Sequence, residues 1–329
     1  MIKINIIFIN IVYFLFLSGC TTPKKLDSIF SDRSPQTVAY SNSGVIEISD
    51  ASIFSQVIVL SDVHGMFDQV VTLLKASQVI DKDNNWIAGH ALLIINGDSI
   101  DKGPKSLEVL NLWIKLEKQS GIAGGKFIHV LGNHEAEFLA DPLNDKKAAE
   151  LISEMQDQNI PVSDLTQTQS PRGIFIHSEP VAARVGKWLF CHSGFYPNMT
   201  WNDFLEVAKK TVASQNYASD FLLGDNSILE AKDWEKSAST LRPVINRLDT
   251  LGLFGIVFGH QPNAFKIKGR SAAKAKGRLI KIDNGMAPEG GSYPGSVLIF
   301  TKPSEMNILK YPHIKIVFPD SSSQELIPE

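Results

Sequence analysis

Five short stretches of the sequence place aspartate, histidine or asparagine within two residues of a glycine. In the second of them, Asp98 and Asp101 lie three residues apart. Carboxylate and amide oxygens, together with imidazole nitrogens, are the side-chain groups that hold hard or borderline divalent cations. A neighbouring glycine lets the backbone turn sharply beside each of them without steric strain. The stretches are SDVHG at 61–65, NGDSIDKG at 96–103, LGNHE at 131–135, CHSG at 191–194 and FGHQP at 258–262. Together they predict a metal site.

Apolar runs of strand length precede these stretches, and segments of helical period follow several of them. Val57–Leu60 leads into Asp62, and Leu92–Ile95 leads into Asp98. Strands that alternate with helices predict a largely parallel sheet covered by helices. The carboxyl ends of such strands lie at one edge of the sheet, where ligands bind. The sequence therefore predicts an α/β fold in which the five stretches meet.

The composition limits the classes of partner. The chain has 329 residues, of which 43% are hydrophobic and 20% are charged. Such a chain can bury a large core, in one large domain or two smaller ones. The formal net charge is −3, whereas proteins that mainly hold nucleic acid usually carry a basic excess. We expect no nucleic-acid partner.

The first twenty residues have the organisation of an export signal. A charged start precedes an apolar run at 6–17, and small residues close the stretch before Cys20. The ending LSGC at 17–20 resembles the lipobox of bacterial lipoproteins. This implies a lipoprotein-type signal peptide at 1–20, a lipid on Cys20 and an exported protein anchored to a membrane of the bacterial cell envelope, on its periplasmic side. An ordinary cleaved signal and an uncleaved anchor helix are the alternatives.

In their order and spacing, the five stretches resemble the motifs of the calcineurin-like metallophosphoesterases, and more narrowly those of the phosphoprotein phosphatase branch. GDNSILEAKDWE at 224–235 and IKIDNGMAPEGG at 280–291 make the chain most similar to the Shewanella-like bacterial protein phosphatases. The resemblance extends roughly from residue 57 to residue 300. It implies a four-layer α-β-β-α sandwich with two mixed sheets.

The domain organisation is predicted from this resemblance and from local composition. Residues 21–52 show little helical or strand period, and we interpret them as a flexible tether. An edge strand around Val45–Ile48 is the alternative for the end of that segment. The metallophosphoesterase catalytic domain is then expected at 53–320. Residues 140–180 interrupt the alternation of strands and helices, which predicts a helical insertion, either a lid over the site or a solvated ornament.

The resemblance implies a role for each residue of the five stretches. Asp98 would bridge two divalent ions, manganese, iron or zinc, and a hydroxide that bridges the ions would attack phosphorus. His134 would be the general acid, and Asp101 would orient it. The implied ligands are Asp62, His64 and Asp98 for one ion, and Asp98, Asn133, His192 and His260 for the other.

Two departures from the family pattern leave the substrate open. Lys102 stands where the family usually has arginine, and Leu223 stands where the similar subgroup tends to carry a second one. A lysine is a flexible point charge and lacks the planar two-pronged grip of arginine, so phosphate binding should be weaker. Lys102, Asn133 and Arg184 are the phosphate-binding candidates.

The resemblance as a whole implies a metal-dependent phosphatase that hydrolyses phosphomonoesters. Its partner would be a phosphorylated protein, carrying phosphotyrosine or phosphoserine/threonine, or a small phosphoester. A dinucleotide polyphosphate hydrolase or phosphodiesterase is the first alternative, because related folds use the same metals. An inactive phosphate-binding module is the second, and it is disfavoured because no implied ligand is missing.

Overall fold

The computed structural model describes residues 42–144, 147–194 and 199–328. The predicted signal peptide, the lipidation site Cys20 and residues 21–41 of the predicted tether lie outside these ranges. Within them, no helix combines the length and the apolar character that crossing a membrane requires.

Two six-stranded mixed sheets form the centre of the fold. The strands are β1 (Val45–Ile48), β2 (Val57–Leu60), β3 (Leu92–Ile95), β4 (Lys126–His129), β5 (Ala182–Val185), β6 (Trp188–Cys191), β7 (Gly255–Phe258), β8 (Ala272–Lys274), β9 (Leu279–Lys281), β10 (Val297–Phe300), β11 (Ile314–Val317) and β12 (Ser323–Glu325). The first sheet has the order β12-β11-β10-β2-β3-β4, and the second has the order β1-β5-β6-β7-β9-β8. β2, β3 and β4 are parallel, as are β6, β7 and β9.

Nine α-helices and four short 3₁₀ turns are assigned within the described ranges. The helices are α1 (Phe67–Ala76), α2 (Ser106–Ile122), α3 (Asn133–Ala140), α4 (Ala149–Asp157), α5 (Ser163–Thr166), α6 (Pro171–Ser178), α7 (Trp201–Ala213), α8 (Asp220–Leu223) and α9 (Ala238–Thr250). The 3₁₀ turns are Ala51–Ile53, Ala264–Lys266, Pro288–Gly290 and Pro303–Asn307.

The buried side chains separate into three apolar layers. Alternate residues of a strand point to opposite faces, so Leu60 and Ile95 of the first sheet pack with α1 and α2, whereas Val59 and Ile94 face the second sheet. Phe258 lies on the outer face of the second sheet, in the layer to which α7 and α9 contribute. Burying a side chain of this size contributes roughly 1.5–3 kcal/mol. The resulting order of helices, sheet, sheet and helices is the predicted four-layer fold.

The insertion at 140–180 is helical, as predicted, and it belongs to the core. Leu151 and Met155 of α4, Leu165 of α5 and Ile176 of α6 are at most 1% exposed, and they pack in one layer with α2. The interpretation as a solvated ornament is therefore wrong.

The structure corrects both predicted boundaries of the catalytic domain. Residues 45–48 form the edge strand β1, which was the alternative to the tether, and β1 pairs in parallel with β5. The Asn42 side chain donates hydrogen bonds to the carbonyls of His177 and Glu179, so Asn42 belongs to the folded part. At the other end, β12 pairs with β11 and extends the fold beyond residue 320.

Candidate metal centre

The ends of four strands and the start of one helix bring the five stretches together. Asp62 follows β2, Asp98 follows β3, His192 follows β6 and His260 follows β7, while Asn133 is the first residue of α3. β2 and β3 are parallel neighbours, as are β6 and β7. Their carboxyl ends consequently lie at one edge of the two packed sheets.

Several of these side chains sit on strained backbone. Asp62, His64, Asp98 and His260 have φ values of 52°, 43°, 55° and 62°, in the left-handed region that residues other than glycine rarely adopt. Each such residue costs of the order of 1–3 kcal/mol and persists only where its surroundings hold it. Positive φ values also occur elsewhere in the chain, but four of the six implied ligands share this conformation, which indicates that the surrounding fold holds them in place.

The buried Glu135 carboxylate helps to hold the backbone of Asp98 in place. It accepts backbone hydrogen bonds from Asp98 at 3.0 Å, from Ser99 at 2.7 Å and from Gly132 at 3.1 Å. One side chain at the start of α3 thus fixes the loop after β3 and the loop after β4. Glu135 was absent from the predicted site, although it is part of the LGNHE stretch.

Four ligand atoms converge at the predicted second ion. Asn133 Oδ1 lies 3.0 Å from His192 Nε2 and 3.0 Å from His260 Nδ1, and Asp98 Oδ1 lies 3.3 Å from His192 Nε2. His192 Nδ1 donates to the carbonyl of Asn96 at 3.0 Å, which leaves the Nε2 lone pair facing the cluster. An amide oxygen, a carboxylate and two imidazole nitrogens are a donor set suited to a divalent cation.

The other oxygen of Asp98 faces the predicted first ion. Asp98 Oδ2 lies 3.5 Å from His64 Nε2, and His64 Nδ1 donates to the carbonyl of Ile100 at 3.2 Å. Asp62 Oδ1 accepts the backbone N–H of His260 at 2.8 Å, and its Oδ2 accepts the Ser61 hydroxyl. The two oxygens of Asp98 are thus directed at two separate donor groups, which is the arrangement a bridging ligand requires.

His134, predicted as the general acid, also lies close to the first donor group. Ligand atoms of His64, Asp98 and His134 lie within 4.8 Å of one another, as do those of Asp98, His192 and His260. Asp62 lies in neither set, and it lines the same cleft.

The electrostatics of the site fit bound cations. Burial, with the charge of Asp283 beside it, raises the pKa of the Asp62 carboxyl well above its usual value. Burial alone would lower the pKa of His192, but the charge and hydrogen bond of Asp98, together with the charge of Asp62, outweigh it and raise that pKa to about 10. The buried carboxylates thus draw a proton onto His192. Divalent ions would supply this positive charge and leave the imidazole neutral, as a ligand must be.

His134 and Asp101 form a buried pair beside the ligands. His134 Nδ1 lies 3.3 Å from Asp101 Oδ2. Burial opposes a charge on His134, but the charge of Asp98 and the close contact with the Asp101 carboxylate raise its pKa above the usual value. Asp101 Oδ1 accepts the backbone N–H groups of Glu150 and Leu151 at 3.1 and 3.4 Å. The first turn of α4 therefore fixes the carboxylate that holds the histidine.

A cleft of about 260 Å³ opens over the ligands, and two lysines of the described part of the chain line it. Lys102 is a predicted phosphate-binding residue, and its Nζ lies 3.5 Å from His64 Nε2. Lys232 and the buried Asp283 also line the cleft, and neither was among the predicted site residues. Both lie in the segments 224–235 and 280–291, which resemble the Shewanella-like group but for which no site residue was predicted. Asn133, which was also predicted to bind phosphate, lines the cleft as well.

Arg184 lies elsewhere, and its predicted role in binding phosphate is corrected. It belongs to β5, and it pairs across the sheet with Glu47 and Leu189. Its guanidinium stacks 5.2 Å from the ring centre of Trp201, and it is not among the described residues that line the cleft.

Comparison with known proteins agrees with this geometry. The calcineurin-like phosphoesterase family matches residues 55–266. Shewanella-like protein phosphatase 1 of Plasmodium berghei is 30% identical over 122 residues, which cover 37% of this chain and 30% of the relative. The symmetrical bis(5'-nucleosyl)-tetraphosphatase of Vibrio cholerae is 25% identical over 194 residues, which cover 59% of this chain and 62% of the relative. The chain thus spans less than two thirds of either relative.

A solved structure has the same fold. The crystal structure of a cold-active protein-tyrosine phosphatase from a psychrophilic Shewanella superposes with a TM-score of 0.67 at 22% identity, covering 86% of this chain and 82% of its own. The predicted similarity to Shewanella-like phosphatases is therefore confirmed. All five stretches lie within the matched range of 55–266, and the chain belongs to the calcineurin-like phosphoesterase family.

Proposed function

We propose that this phosphoesterase is a phosphatase that hydrolyses phosphomonoesters, those of phosphoproteins in particular, with two divalent ions. The observation that carries the proposal is the position of Asp98 between two donor groups, with one oxygen 3.3 Å from His192 and the other 3.5 Å from His64. Bound there, two divalent ions would act as Lewis acids on the phosphoryl oxygens and make water a ready nucleophile.

The chain's own residues bind the substrate and move one proton. Lys102 and Lys232 line the cleft, where their ammonium groups attract the phosphoryl oxygens as point charges. The contact between His134 Nδ1 and Asp101 leaves His134 Nε2 to donate a proton to the leaving oxygen. Such general acid catalysis typically contributes about 10²–10⁴-fold to the rate.

The rim of the cleft favours a phosphomonoester over a dinucleotide polyphosphate. A groove of about 420 Å³ continues from the cleft past His134, and among the described residues five carboxylates and three lysines line it. The carboxylates are Asp101, Glu137, Glu150, Glu230 and Glu289. Further phosphates of a polyphosphate would meet this negative field, whereas a neutral or basic peptide would not.

Substrate comparison tests the proposal. The manganese-loaded protein should hydrolyse p-nitrophenyl phosphate and phosphopeptides. Comparing kcat/KM for phosphotyrosine, phosphoserine and phosphothreonine peptides of one sequence ranks these substrates. Diadenosine tetraphosphate at the same concentration should be the poorer substrate in kcat/KM. A clear preference for diadenosine tetraphosphate would reject the proposal in favour of the dinucleotide polyphosphate hydrolase.

We also propose that the chain is exported and anchored to the membrane through a lipid on Cys20. The apolar run at 6–17 and the small residues before Cys20 support this proposal. Radiolabelled palmitate should label the expressed protein and fail to label the C20A variant. Equal labelling of both would contradict the proposal.

A further inference from the structure

The carboxylate of Glu230 lies between an implied metal ligand and a lysine of the cleft. Its Oε2 is 3.8 Å from His260 Nε2 and 3.5 Å from Lys232 Nζ. The Glu230 side chain is 16% exposed, and that of His260 is 5% exposed. His260 Nε2 itself is buried, and it forms no hydrogen bond to the residues that the structure describes.

The segment that carries Glu230 is fastened to the end of β6. The Ser193 backbone N–H donates to the carbonyl of Ile228 at 3.1 Å, and Ser193 is the neighbour of His192 in sequence. The Glu230 backbone N–H donates to Ser227 Oγ at 3.1 Å. Ile228 and Leu229 are fully buried between these two points. Glu230 is therefore held by the same element that presents His192.

We propose that Glu230 is a positioning residue for His260. When His260 Nδ1 faces an ion, its Nε2 carries the hydrogen, and a buried N–H needs an acceptor. A shift of about 1 Å would bring Glu230 Oε2 to hydrogen-bond distance. A carboxylate on the far nitrogen of a ligating histidine fixes the orientation of the ring and makes it a stronger ligand.

The same carboxylate holds Lys232 at the mouth of the cleft. Lys232 is 58% exposed at its side chain, so a lysine without this ion pair would sample many rotamers. Glu230 thus contacts both His260, an implied ligand of the second ion, and Lys232, whose ammonium group would attract the phosphoryl group. This last step depends on the proposed function, whereas the step that concerns His260 requires only that the protein binds metal.

Titration calorimetry with Mn²⁺ alone tests the assignment in the full chain. E230A should weaken the second equivalent of Mn²⁺ by about 10–100-fold, the range found for partners of metal ligands. E230Q should retain most of the affinity, because its amide oxygen can still accept the hydrogen from His260. E206Q removes the same charge from an exposed position in α7 and should bind Mn²⁺ like the wild type. Wild-type affinity in E230A would overturn the assignment.

Circular dichroism in EDTA shows whether each variant is folded before metal is added. If E230A unfolds, E230M fills similar space without an acceptor and provides the same comparison. K232A should raise KM for a phosphomonoester and leave the Mn²⁺ affinity unchanged. A wild-type protein that binds two Mn²⁺ ions yet hydrolyses no phosphomonoester would reject the proposed function alone. Unchanged Mn²⁺ affinity of E230A in an active enzyme would reject only the role of Glu230.

Discussion

The Asp101→Asn substitution separates the proposed general acid from the metal ligands. Asparagine can keep the acceptor oxygen that receives the backbone N–H groups of Glu150 and Leu151. It replaces Oδ2, which lies 3.3 Å from His134 Nδ1, with an uncharged amide nitrogen. The variant should therefore keep its fold and its ligands, and it should lose only the anion that orients and charges His134.

The size of the effect follows from the burial of this pair. The side chains of His134 and Asp101 are 11% and 7% exposed, so solvent screens their interaction little. A hydrogen bond to a charged group is worth about 1.5–3 kcal/mol. Since about 1.4 kcal/mol corresponds to a tenfold change in rate, kcat should fall by about 10- to 150-fold wherever protonation of the leaving oxygen limits the rate.

Leaving-group dependence is the measurement that isolates this role. A serine alkoxide needs a proton to leave, whereas p-nitrophenolate needs far less help. The kcat of D101N should fall by the whole predicted factor on a phosphoserine peptide and by much less on p-nitrophenyl phosphate. Its affinity for Mn²⁺ should be unchanged. D157N changes an exposed residue at the other end of α4 and should behave as wild type. Equal losses on both substrates, or an unchanged kcat on the peptide, would refute the role given to His134 and Asp101.

Four further predictions concern metal, phosphate and proton binding. D98N should weaken Mn²⁺ binding by more than about 100-fold in titration calorimetry. Removing a ligand that both ions share should reduce the affinity more than removing a hydrogen-bond partner of a ligand does. EDTA should lower Tm in differential scanning calorimetry, since ions at 100 times their Kd stabilise the folded state by about 2.7 kcal/mol. K102A should raise KM for p-nitrophenyl phosphate and leave the Mn²⁺ affinity unchanged. Burial and the neighbouring Glu108 raise the pKa of Glu154 to about 8 from the ordinary 4.5. The stability that this protonated carboxyl contributes is full below pH 4.5 and is lost as the pH rises through 8. The free energy of unfolding in urea should fall over this range, and E154Q should flatten that fall.

The implied ligands could be predicted because their signals are local. Asp62, Asp98, His192 and His260 each follow a buried strand by a few residues, and the carboxyl ends of neighbouring parallel strands meet at one edge. An apolar run followed by a ligand with a nearby glycine is therefore enough to place that ligand at the edge of the sheet. The structure brings these residues together for that reason.

The features that sequence reasoning missed depend on contacts between distant residues. β1 was predicted only as the alternative to a tether, and its pairing with β5, which spans more than a hundred residues of chain, places it in the sheet. Lys232 lies on a segment without regular period, and the burial of Ile228 and Leu229 carries it to the cleft. Arg184 was an attractive candidate by charge alone, but its strand directs it to Trp201.

The insertion shows most clearly how such contacts determine function. Glu154 of α4 accepts the backbone N–H groups of Ser106 and Leu107 at the start of α2, at 2.7 and 3.1 Å. Asp101, just before α2, accepts those of Glu150 and Leu151 at the start of α4. Each helix thus begins on a carboxyl group supplied by the other, whose oxygens accept N–H groups that have no partner within the helix. Because Asp101 also holds His134, a disturbance of α4 should reach the proposed general acid and leave the metal ligands intact, which is a role different from that of a lid.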